Sequence, residues 1–80
     1  MSLRIQEQTL RALVAAGSVS ELMAQRSPAG WVLIVRVGTG HTPLELQRGG
    51  PREFKSLDVL AALVESVGLA NFSVTLLTTT

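Results

Sequence analysis

Eighty residues make one domain, 1–80, with no room for a second core. Seven Lys and Arg against six Asp and Glu leave a formal net charge of +1, far from the basic excess of a protein that holds nucleic acid by neutralising phosphates. The lack of cysteine excludes disulfides, thiolate chemistry and Cys-ligated zinc, so folding does not depend on an oxidising compartment.

The opening stretch, MSLRIQEQTLRALVAAG, carries Glu7 and Arg11 and no long apolar core, so it does not read as a signal peptide. From Gln6 to Ala16 the spacing predicts a helix with Leu10, Leu13 and Val14 on one face and Gly17 at its C-terminal cap. Residues 19–26 read as a strand with mixed faces, ended by the turn Ser27-Pro28-Ala29-Gly30. Residues 31–37, WVLIVRV, are β-branched and apolar on both faces until Arg36, which suits the middle of a sheet. Trp31 opens that strand as a core or core-edge aromatic, and the apolar run is too short to cross a bilayer. Gly38-Thr39-Gly40 makes a hairpin into a strand at 42–47, with Leu44 and Leu46 on one face and Glu45 and Gln47 on the other.

A second helix follows. Ser56 is its N-cap, Asp58 faces the positive end of the helix dipole, Leu60, Leu63, Val64 and Val67 form its apolar stripe, and Gly68 stops it. The tail 72–77 alternates again, Phe72, Val74 and Leu76 against Ser73, Thr75 and Leu77. The expected class is α+β: an α-β-β-β-α-β domain, its mainly antiparallel sheet covered by one or two helices.

Between the third strand and the second helix lies RGGPREFKSLD. A Walker-type loop needs a glycine immediately before Lys-Ser, whereas here Lys55-Ser56 stands well beyond Gly50, and Pro51 removes a backbone N–H where an anion would want one. The stretch reads as a structural hinge: Gly49 and Gly50 permit a positive-φ turn, Pro51 stiffens its exit, and Phe54 drops into the core. The competing reading is a basic patch in which Arg36, Arg48, Arg52 and Lys55 contact nucleic-acid phosphate or an acidic partner.

Catalytic chemistry finds no support. His41, the only histidine, sits in a glycine-flanked turn, the acids lack paired spacing, and Ser18 and Ser20 have no nucleophile elbow around them. No catalytic residue, metal ligand or cofactor is expected, and the chain reads as a non-enzyme. With Phe54 and Phe72 beside Trp31 and no tyrosine, the aromatic-on-basic surface used for single-stranded nucleic acid is missing as well.

The strings TLRALVAAGSV, the glycine-tryptophan strand ending VRVG, and LELQRGGPREFKSLDVLAALVESVGLANFSV resemble the ParC-like family, small partition-associated proteins of bacterial plasmids and integrated elements, unrelated to the topoisomerase subunit of that name. The likeness covers most of residues 3–76. It implies a role in element maintenance beside a partition ATPase and its DNA-binding partner, and it carries no catalytic residue with it.

Two functions compete. With 46% apolar and 16% charged residues and a mean hydropathy of +0.35, an 80-residue chain holds more apolar surface than one thin core hides. That favours a cytoplasmic adaptor that works through protein contacts and self-associates, most simply as a homodimer through the uncharged strand 72–77, which lacks lysine and proline. The alternative is a weak nucleic-acid-binding accessory using the basic patch. The element order is similar to that of double-stranded-RNA-binding domains, but the second helix lacks their lysine cluster.

Overall fold

The computed structural model describes residues 5–46 and 49–76, so Gln47, Arg48 and Leu77 lie outside the described residues. Helix α1 runs Glu7–Ala15 and helix α2 Leu57–Ser66; the strands are β1 Val19–Ser27, β2 Gly30–Val37, β3 Gly40–Pro43, β4 Glu53–Phe54 and β5 Ser73–Thr75. The fold is α+β, with a five-stranded, mostly antiparallel sheet in the order β3-β2-β1-β5; β4 joins β2 off that path.

The hairpin β1–β2 is the spine. It turns at Pro28-Ala29, closes with Ser27 opposite Gly30, and runs in register from there to Leu22 opposite Val35 before a bulge between Val19 and Glu21. The alternation of β1 and β2 separates the faces. Leu22, Ala24, Leu33 and Val35 are buried, while Met23, Gln25, Val32 and Ile34 point the other way and are half-buried. Leu10 of α1 and Leu60, Leu63 and Val64 of α2 join the first set in one core, with Ile5, Leu44, Phe54 and Val67. Both helices therefore cover the same face, and among the described residues the other has no helix over it.

Both helices end alike. The amides of Gly17 and Ser18 return to the carbonyls of Val14 and Leu13 at 3.0 and 2.9 Å, and those of Gly68 and Leu69 to Glu65 and Val64 at 3.1 and 3.2 Å. Helix α2 also has a side-chain cap, the Ser56 Oγ accepting from the Val59 amide at 3.3 Å. Helix α1 starts at Gln6 without one. The apolar stripe of α2 thus lies where its spacing predicts.

The third strand departs from the sequence reading. Expected at 42–47, it spans Gly40–Pro43, opposite Val37 to Ile34 of β2. The reason lies just beyond it. The Leu44 amide reaches the Leu33 carbonyl at 2.7 Å and the Glu45 amide the Ile5 carbonyl at 2.8 Å, so the chain leaves β2 for the N-terminal segment. It then doubles back: the Leu46 amide donates to the Gly50 carbonyl at 3.0 Å, and Glu45 lies opposite Pro51. Gly49 and Gly50 hold φ values of +94° and +83° in this turn. The returning chain makes a fourth strand that periodicity did not reveal, β4, with Phe54 opposite Trp31 and Glu53 opposite Val32.

Candidate functional site

The sheet ends differently on its two sides. Beyond β2 the edge is divided between β3 and β4, with Pro43 closing one and Pro51 preceding the other, and Ile5 laid against Leu44 between them. Short strands, prolines and a covering segment are devices that prevent edge pairing. Beyond β1 the edge is β5, which runs parallel to it as Ser73, Val74 and Thr75 opposite Met23, Ala24 and Gln25. β5 carries no charge and no proline. Val74 is 45% and Leu76 64% exposed, two of the three large apolar side chains most open to solvent among the described residues. They alternate onto the helix-covered face, as does Phe72, which packs against the core.

Where β1 overhangs the start of β5, the edge holds a cavity of about 220 Å³. Its walls are Val19, Leu22, Leu69 and Phe72, with Ser20, Glu21, Asn71 and Ser73 as polar lining. The Glu21 carboxylate accepts from Ser73 Oγ at 3.2 Å and lies 3.7 Å from the Arg36 guanidinium. On the helix-free face, Glu21, Arg36 and His41 stand in one row across β1, β2 and β3. The next row is Ser73, Met23, Ile34 and Pro43. A shallow depression of about 140 Å³ lies among Glu21, Met23, Ile34, Arg36 and His41.

The cations of the sequence-predicted patch do not converge. Arg36 lies on the helix-free face beside Glu21. Arg52 turns to the helices instead, 2.9 Å from the Glu7 carboxylate and over the Phe54 ring at 5.0 Å. Lys55 is exposed just after β4, whose Phe54 sits opposite Trp31, about 17 Å of strand from Arg36. Arg48 lies outside the described residues.

A family model described as ParC-like matches residues 5–78. The chain belongs to the ParC-like family. No curated protein and no solved structure matches it. Among the described residues, no helix of this ParC-like chain is long and apolar enough to cross a membrane, and no three His, Asp or Glu side chains gather as a metal site requires.

Sequence reasoning passed over one polar cluster. Glu7 receives Arg11 at 3.1 Å as well as Arg52, and Arg11 also donates to the Ser66 carbonyl at 2.9 Å and its Oγ at 3.1 Å. The cluster ties the start of α1 to the end of α2 and to the entry into β4. Hydrogen bonds from Arg52 and then Arg11 hold the Glu7 carboxyl below its ordinary value. The Glu7–Arg11 spacing of four is visible in the sequence; the Arg52 partner is not.

Proposed function

We propose that the protein is a non-enzymatic adaptor that works through protein contacts at the β5 edge of its sheet, self-associating there. One observation carries the reading: this edge, unlike the opposite one, bears no blocking residue and displays Val74 and Leu76. The resemblance of the ParC-like family to partition-associated proteins supports a place in plasmid or mobile-element maintenance in the cytoplasm, with a partition ATPase or its DNA-binding partner as the contact.

The nucleic-acid reading ranks second. Arg36 and Arg52 are each taken by a carboxylate on different faces of the molecule, and a charge of +1 releases few counterions. Titrating the protein against a partition ATPase and against the DNA-binding protein of the same element, with duplex DNA in parallel at physiological salt, tests the assignment. Saturable binding to one of the two proteins and none to the duplex is expected. Sub-micromolar duplex binding at that salt overturns the adaptor reading, and silence from both proteins removes the partition role.

A further inference from the structure

The half-open cavity at the start of β5 is lined mainly by groups that accept. β5 covers β1 only from Met23 to Gln25, so among the described residues no strand lies outside Val19–Leu22. Ser20 Oγ donates to the Arg36 carbonyl at 3.1 Å and Ser73 Oγ to the Glu21 carboxylate at 3.2 Å. A carbonyl and a carboxylate only accept, so both hydroxyl protons are committed and both oxygens offer the cavity lone pairs alone. Glu21 is an acceptor as well, and it is the one charged residue in the lining. Its Oε1 stands 3.7 Å from the Arg36 guanidinium, an ion-pair distance too long for a hydrogen bond, and it can take another donor. Asn71 adds a side-chain amide, and Leu22 and Phe72 supply apolar wall.

We propose that this cavity binds the ammonium or guanidinium end of a basic alkyl chain. Glu21 is its counter-ion, Ser20 and Ser73 accept from its N–H groups, and Leu22 and Phe72 lie against its methylenes. The inference goes beyond the adaptor reading and does not depend on self-association. Chemistry selects the ligand. An anion would meet the Glu21 carboxylate with like charge, and a purely apolar group would cover three acceptors without pairing them. A neutral donor satisfies the hydroxyls but gains nothing from the charge of Glu21. A lysine or arginine side chain has both parts required, a cationic head on an apolar stem, and a free alkylamine has them too. The cavity, about 220 Å³, is larger than the ~150 Å³ that takes a benzene ring, which gives room for such a chain.

The test titrates n-butylguanidinium, n-butylammonium, butyrate and a blocked Gly-Arg-Gly peptide against the isotope-labelled full chain, read by amide NMR. The two alkyl cations are expected to shift the amides of Glu21, Asn71 and Ser73 saturably, with a Kd of about 1–20 mM for ligands this small. Butyrate should leave those amides in place. Glu21→Gln should weaken both cations at least about fivefold. Arg36→Gln removes the internal rival for Glu21 and should tighten them by up to about fivefold; a carboxylate that served only the fold would give no such gain. Peptide binding at least as tight as that of butylguanidinium assigns the ligand to a protein side chain, its backbone lying along the open edge of β1. Binding of the bare cations without the peptide assigns it to a free alkylamine. The inference is overturned if no cation shifts these amides at several times that Kd, or if butyrate shifts them as the cations do. It is overturned equally if Glu21→Gln binds the cations as the parent does.

Discussion

On the β2 side the sheet ends in two short pieces, β3 and β4, bordered by Pro43, Pro51 and Ile5; on the β1 side it ends in three neutral residues parallel to β1. The first edge is tied inward. Phe54 enters the core, Arg52 holds Glu7, and the Glu53 carboxylate accepts from Ser27 Oγ at 2.9 Å. The second edge makes few such ties and shows its apolar groups to solvent. Substitutions on the guarded side are therefore expected to act on folding, and those on the open side on association.

The largest effect belongs to the guarded side. Phe54 is 3% exposed and anchors β4 beneath α2, and Phe54→Ala is expected to cost about 3–5 kcal/mol in a urea melt. At a protein concentration low enough to keep the chain monomeric, Leu76→Ala, at the open edge, should change the same melt by less than about 0.5 kcal/mol. Equal losses at the two positions would remove the distinction between the edges.

Two glycines on the guarded side give a finer test. Gly30 has φ +148°, and a Cβ there would run into the Phe54 carbonyl oxygen; Gly50 has φ +83° with open space around it. Gly50→Ala carries backbone strain alone, about 1–2 kcal/mol. Gly30→Ala must also push β4 away from β2, and should exceed the ~1–3 kcal/mol of strain by itself. Equal melting temperatures for the two variants would show that the close approach of Gly30 to Phe54 is not needed.

These contrasts also explain what the sequence made legible. The stripe Leu60, Leu63, Val64 and Val67 was readable because helical periodicity and the Ser56 cap are local signals. So were β1 and β2, whose turn residues and β-branched runs agree. The third strand was misplaced because alternation at Leu44 and Leu46 says nothing of Ile5, whose carbonyl takes the Glu45 amide from across the chain. β4 is two residues long, too short to show a period. For the same reason Arg36 and Arg52 read as one patch in the sequence: their neighbours in the chain are not their neighbours in space. Arg52 finds Glu7, and Arg36 finds Glu21.

The Glu7 cluster offers a smaller, pH-dependent effect on the guarded side. Its carboxyl is depressed by Arg52 and Arg11, so its contribution is present above the unfolded carboxylate value, near 4.3, and is lost as pH falls through the lower folded value. The pairs are partly exposed, so Glu7→Gln should lower stability by less than about 1 kcal/mol at pH 7. Melts of the two proteins should converge in strong acid, and a gap as wide there as at pH 7 would assign the loss to packing instead.

The smallest expected effect on folding comes with the largest change in behaviour. Thr75 lies at the end of β5 opposite Gln25, on the helix-free side, and makes no contribution to the core. Thr75→Lys removes a β-branched residue from a short edge strand, a change within the ~1 kcal/mol span of strand propensity. The lysine also supplies what this edge lacks and what natural edges use, a charge that an incoming strand would have to desolvate. The expected outcome is a melt close to that of the parent and a mass that stays at 8.5 kDa where the parent's rises with concentration. A lysine at Glu53 is the companion variant, since that edge is already closed by Pro43 and Pro51 and should associate no differently when charge is altered there. If the Thr75 variant still dimerises and the Glu53 variant does not, the open and guarded edges have been assigned the wrong way round.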